Sequence, residues 1–175
     1  MKRLLNMRDA TKELNILRAL DSYERPFSVK GTYRLIDDGL RPEATVIIKA
    51  GHSEMHEAST GVGPVDALAN VLKKSLGSIF PVIGDVKLVD FASRISDRRS
   101  GTGARVEVSI IFTDGTEMWS VAAVSENINM ASFMALLDGF EYAILLKGHP
   151  PAGTGSPPPL TKPHPRVGTL TRGAR

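Results

Sequence analysis

Under a constant offset of 64 residues, and without a gap, the first half of this chain lies on its second half. The offset pairs Asp21 with Asp85, Phe27 with Phe91, Arg41 with Arg105, Glu43 with Glu107 and Ile47 with Ile111. It goes on to pair Gly51 with Gly115, Ala58 with Ala122, Ala67 with Ala131 and Leu72 with Leu136. Conservative pairs lie between them, among them Lys30 with Arg94 and Thr45 with Ser109. A repeat of this kind restricts the fold to two like units, and such folds commonly bind ligands where equivalent surfaces meet. The expectation is therefore a binding or regulatory module.

Each unit reads as three strands and a helix. Phe27 to Ile36 is expected as the first strand, then Glu43 to Lys49, whose alternation puts Ala44, Val46 and Ile48 on one face. A turn at Ala50-Gly51 leads to a third strand over His52 to Ser59. In the second unit the strands are Val86 to Ile95, Arg105 to Thr113 with Val108, Ile110 and Phe112 inward, and Thr116 to Val124. Asp114-Gly115 is a two-residue hairpin signal. Gly63-Pro64 starts the first helix, with proline where its missing N–H does no harm. Val65, Leu68, Leu72 and Leu76 form its buried stripe, and Gly77 is a natural stop. Asn127 caps the second helix, with Ile128, Ala131, Leu136 and Phe140 facing inward. Thr11 to Ser22 reads as a further amphipathic helix carrying Leu14, Leu17 and Leu20. Two pseudo-symmetric βββα units make an α+β protein, with antiparallel sheets covered by helices on one side.

These elements divide the chain into an N-terminal helical segment over residues 1–24, a duplicated body over 25–147 and a tail over 148–175. Seven of the eleven prolines lie in the tail, and proline at that density blocks helix and leaves little to bury, so an extended, disordered segment is expected. The formal charge of +3 belongs to the tail as well: five of the 22 basic residues lie from Lys147 onward with no acid among them. The remainder then carries fewer basic residues than the 19 acidic ones, so the folded body holds no general attraction for nucleic acid. The chain has no cysteine, which excludes disulfides and thiolate chemistry. No run reads as a signal peptide or a membrane span, and a cytoplasmic location is expected.

The stretch EASTGVGPVDALANVL, followed by KLVDFASRI, GTGARVEV and VSENINMASFMALLD, resembles the C-terminal regulatory domain of 2-isopropylmalate and citramalate synthases. The similarity runs in order from Phe27 to Leu146, and its most specific parts are the G-x-G-P-V-D-A and S-x-N-I-x-x-A-S helix starts and the D-aromatic-x-x-R strand. The resemblance implies a dimeric domain that binds a pathway end product, leucine or isoleucine, and regulates a synthase. In such synthases a larger catalytic barrel precedes the domain. Only a short helical segment precedes it here, so the resemblance implies a stand-alone regulatory subunit, free or assembled with a separately encoded synthase, with no catalysis of its own and no cofactor.

Holding an amino acid requires groups for a carboxylate, an ammonium and a branched side chain. Helix starts with glycine in the approach present free backbone N–H groups to a carboxylate, which fits Gly61, Gly63 and Asn127. Asp66 is a candidate for the ammonium, although a first-turn acid also complements the helix dipole. Matched to the family motif, Val65, Leu88, Phe91 and Ile95 form the apolar wall, completed by Thr102, Val106 and Asn127. Read without the resemblance, Leu88, Phe91 and Ile95 are strand residues that would suit an ordinary core. Phe91 stands where the family usually has tyrosine, and Ala122-Ala123-Val124-Ser125 replaces a glycine-containing approach to the second helix. His52, Glu54 and His56 share one strand face, but no further histidine of the body completes a metal set. The opposing expectation is a dimeric interaction protein that keeps the fold and no longer binds an effector.

Overall fold

The computed structural model describes residues 7–96 and 104–148. The elements follow the order β1 (Arg8–Asp9), α1 (Ala10–Arg18), β2 (Ser28–Val29), β3 (Arg34–Ile36), β4 (Glu43–Ala50), β5 (Ser53–Thr60), α2 (Pro64–Ile79), a 3-10 turn (Pro81–Asp85), β6 (Lys87–Ile95), β7 (Val106–Thr113), β8 (Met118–Ser125) and α3 (Ile128–Lys147). In one sheet β4 pairs with β5 on one side and with β2 and β3 on the other, all antiparallel. The second sheet has the order β1-β8-β7-β6, antiparallel except where β1 joins β8 in parallel. The molecule is α+β, as its element pattern requires.

Alternation in the central strands directs the packing. Ala44, Val46 and Ile48 of β4 are buried under α2, and Val108, Ile110 and Phe112 of β7 are buried under α3. The two helices also pack on each other, so both sheets contribute to one core. The offset carries the register Thr45↔Ala58 of the first sheet onto Ser109↔Ala122 of the second, and Pro64 onto Ile128. It does not carry the first strands onto each other. Arg34 pairs with Thr45, whereas the offset partner of Thr45, Ser109, pairs with Ala92.

Several expectations need correcting. The strand over Phe27 to Ile36 is two short strands, because Gly31 adopts a positive φ of 76° and turns the chain out of the sheet. The first helix runs past Gly77 to Ile79. Pro81 ends it, since the residue before a proline is pushed out of the α region, and Phe80 sits at φ −120° and ψ 95°. The Asp114-Gly115 hairpin has four loop residues, Thr113 pairing with Met118, because the Asp114 carboxylate accepts the N–H groups of Thr116 and Glu117, each at 2.8 Å, and closes a wider turn. The N-terminal helix ends at Arg18, which leaves Leu20 exposed, and Ile128 is exposed at the first turn of α3.

Helix α3 has both the length and the hydropathy of a membrane span, contrary to the sequence expectation. It is mostly a core helix here, packed on by β7, β8, α1, α2 and the 3-10 turn, with Met134 left exposed. Such a helix should carry no charge, yet Glu141 lies on it with no exposed surface. Its carboxylate accepts from Arg18 Nη2 at 2.8 Å, Arg25 Nε at 2.9 Å and Tyr23 Oη at 2.6 Å, with a further short bond from Arg25 Nη2. Arg18 also reaches Asp138 at 2.6 Å. Burial alone would raise the Glu141 pKa, but the hydrogen bonds from Arg18, Arg25 and Tyr23 outweigh it and hold the carboxyl below its ordinary range. This network fastens the N-terminal segment to α3.

Candidate functional site

The expected site residues fall into two groups. The first is the loop that leads from β5 into α2. Gly61 is buried, and its N–H donates to the Pro42 carbonyl at 3.0 Å. A Cβ there would overlap the Ala67 nitrogen and come within 2.7 Å of the Asp66 carbonyl carbon and 2.8 Å of the Ala67 Cα. Only glycine lets the loop lie this close to the first turn of α2. Gly61→Ala is therefore expected to cost about 1–3 kcal/mol, because backbone must move, and a denaturant titration against the parent protein measures it. An unchanged unfolding midpoint would contradict the close approach.

Gly63 caps α2 in an extended conformation, φ −152° and ψ 170°, and its carbonyl accepts the Ala67 N–H at 2.9 Å. Asp66 folds back over the loop: its Oδ2 accepts the Val62 N–H at 2.9 Å and the Asn70 side-chain amide at 3.3 Å. The same amide donates to the Thr60 carbonyl at 3.1 Å. Asp66 is thus more than a counter-charge to the helix dipole, since it braces the G-V-G-P turn. It also keeps its carboxylate at the surface, beside the exposed Val62 and the half-buried Val65.

The second group lies on the other sheet. Leu88, Phe91 and Ile95 are spaced three and four apart, which is helical spacing, yet they stand on one face of strand β6. A register shift between Leu88 and Asp90 inserts Val89 as an extra residue. Leu88 then pairs with Phe112, Phe91 with Ile110 and Ile95 with Val106. They share the face that β7 buries beneath α3, but α3 does not reach the edge strand. Their exposures are 37%, 38% and 56%, so the ordinary-core reading of these residues is overturned. Val106 is half-buried beside Ile95 and pairs onward with Ser125.

Asn127 follows, and its Oδ1 accepts the N–H groups of Asn129 at 2.8 Å and Met130 at 3.2 Å, which occupies it in capping α3. Thr102 lies outside the described residues, as does the tail beyond Gly148. The structure brings Ile95, Val106 and Asn127 to one end of the second sheet, and Gly61, Gly63, Val65 and Asp66 to the start of α2 on the first. Among the described residues, no group of three or more His, Cys, Asp or Glu side chains is placed to hold a metal ion.

What the sequence reading missed is the fastening of the N-terminal segment: the Glu141 network and, near it, Arg8, which donates to Glu13 at 2.8 Å while Tyr142 donates to the same carboxylate at 2.6 Å. The signal was present in the acid Glu141 within an otherwise apolar run, Phe140 to Leu146.

A family model of the LeuA allosteric (dimerisation) domain matches residues 11–144. The chain is 39% identical over 142 residues to the (R)-citramalate synthase of Geobacter sulfurreducens, covering 78% of this chain and 27% of that protein. It is 40% identical over 110 residues to the (R)-citramalate synthase of Aquifex aeolicus, covering 62% and 21%. A 2-isopropylmalate synthase of Geobacillus is 28% identical over 118 residues, covering 67% and 21%. The chain thus spans about a quarter of the length of the curated relatives it matches.

Proposed function

Because the chain belongs to the LeuA allosteric (dimerisation) domain family, we propose that it is an effector-binding module that pairs with a second copy and senses a branched-chain amino acid, leucine or isoleucine, for a synthase of the citramalate or 2-isopropylmalate type. The uncovered strip of Leu88, Phe91 and Ile95 is the observation that carries the reading. Large apolar side chains left open on the core side of an edge strand, here interrupted only by Ser93, are unfavourable in water and are relieved when a second copy covers them. Pockets formed at such a junction combine apolar walls with a few polar groups, which suits a branched side chain beside an ammonium and a carboxylate.

The α2 loop supplies the polar groups in this proposal, with Asp66 meeting the ammonium and the backbone N–H groups at the helix start meeting the carboxylate. No bond-making chemistry is assigned to these residues, and the site of action is the cytoplasm. Asp66→Asn separates the two roles of that side chain, because an amide oxygen still accepts the Val62 N–H while the charge is lost. It is expected to weaken effector binding about tenfold or more, with the dimer intact, as read by calorimetry and light scattering. Unchanged affinity would remove Asp66 as the ammonium partner. One observation favours the interaction-protein alternative: the Asp66 carboxylate already has two donors of its own, Val62 and Asn70.

A further inference from the structure

The first strand breaks at Gly31 and opens a notch, whereas β6 of the second unit runs unbroken from Lys87 to Ile95. Lys30 leaves the sheet after donating its N–H to the Ile47 carbonyl at 2.9 Å, and the chain rejoins β4 only at Arg34, which pairs with Thr45. The result is a cavity of about 300 Å³ on the face of the sheet away from α2. At about 30 Å³ per water it has room for roughly ten waters, the size of a small organic acid.

Its lining includes Lys30, Thr32, Arg34, Thr45, Ile47 and His56, and no carboxylate. Register places these side chains together: Arg34 stands opposite Thr45, Ile47 lies two residues along the same face, and His56 stands opposite Ile47. Two acids lie on this face outside the lining. Glu54 is held by Lys30 at 3.3 Å, and Glu43 sits two residues from Thr45 towards the start of β4. Arg34 has no ion pair among the described residues, so its guanidinium is available for a carboxylate, which it can bind through two parallel hydrogen bonds.

Arg34 and His56 lie on strands on opposite sides of β4, two strand spacings across and two residues along, which puts their backbones about 12 Å apart. A ligand that satisfies both needs acidic groups at its two ends. We propose that this notch binds a small organic dianion bearing two carboxylates, with one carboxylate on Arg34 and the other on His56, and with the hydroxyls of Thr32 and Thr45 between them. The site is separate from the α2 loop and the β6 strip, so it stands or falls independently of amino-acid sensing.

Amide chemical-shift titrations of the ¹⁵N-labelled protein with succinate, inorganic phosphate and potassium chloride test it, at matched ionic strength. Succinate is expected to give saturable shifts confined to Lys30–Arg34, Thr45–Ile47 and His56. Arg34→Gln should weaken that binding about tenfold or more while leaving the rest of the spectrum in place, since Arg34 is exposed. His56→Gln should weaken it as well. Shifts that match those of chloride, or that persist unchanged in Arg34→Gln, would overturn the site. Phosphate binding as tight as succinate would overturn the dicarboxylate assignment.

Discussion

Trp119→Ala is expected to lower the stability of the fold by about 3–5 kcal/mol, the range for removing a fully buried aromatic side chain. Trp119 has no exposed surface, stacks on Phe112 with ring centroids 5.9 Å apart and lies 6.0 Å from the Tyr142 ring. Its indole N–H donates to the Gly139 carbonyl at 3.1 Å, in the interior of α3. Collapse around the lost ring is restricted from the other side. Gly139 already sits so close to Phe112 that a Cβ would overlap the ring, with the Phe112 Cδ2 at 2.7 Å. The helix therefore cannot settle further onto the sheet to fill the space. A drop in melting temperature of roughly 10 °C follows for a chain of this size. Trp119→Phe, which keeps most of the ring volume and loses the hydrogen bond, should cost less than half as much, about 1–2 kcal/mol. Equal losses for the two variants would show that the indole N–H, and not the volume, dominates.

Glu141→Ala is expected to cost about 3 kcal/mol. Breaking a fully buried pair costs 3–5 kcal/mol because a charge is left stranded. Here the stranded partners, Arg18 and Arg25, are 26% and 47% exposed and can turn to water, which places the cost at the low end. The same carboxylate makes the fold acid-sensitive. A group whose folded pKa is depressed contributes stability that is present above its ordinary value and lost as pH falls through its folded value. Glu141 is depressed from its ordinary 4.5 by Arg18, Arg25 and Tyr23 against the cost of burial. Asp114 behaves in the same way. Burial opposes the shift, but hydrogen bonds from the Glu117 and Thr116 backbone and from Lys147 hold it at about 2 against an ordinary 3.8. Stability should thus fall from about pH 5 downward to pH 2, and Glu141→Gln should make that decline shallower. A parallel decline in the variant would mean that Glu141 carries none of the acid sensitivity.

The elements legible in the sequence are those in which local pattern and tertiary packing agree. Period-two alternation placed β4 and β7 with the correct faces inward, Pro64 and Asn127 marked the two helix starts, and Gly51 and Gly115 marked the hairpins. The failures have physical causes. A glycine that could continue a strand or leave it gave no sign that Gly31 takes a positive φ. Gly77 looked like a stop because its tolerance of the helix interior depends on packing, whereas Pro81 acts through its own ring. The spacing of Leu88, Phe91 and Ile95 concealed a bulge, and their exposure follows from the reach of α3, which no local pattern encodes. Asp66 was legible as a first-turn acid, but its bond to the Val62 N–H depends on the shape of the turn. The ties from Arg18, Tyr23 and Arg25 to Glu141 span more than a hundred residues of chain, a distance over which neither charge pattern nor spacing carries information.

Thermal stability of the protein against leucine, isoleucine and valine in turn tests the central claim most directly. Ligand at about a hundred times its dissociation constant adds about 2.7 kcal/mol, a rise of several degrees for a chain of this length. That rise is expected for leucine or isoleucine, and it should shrink in Asp66→Asn. Melting temperatures indifferent to all three amino acids would contradict effector binding and leave a dimeric interaction module as the function of this fold.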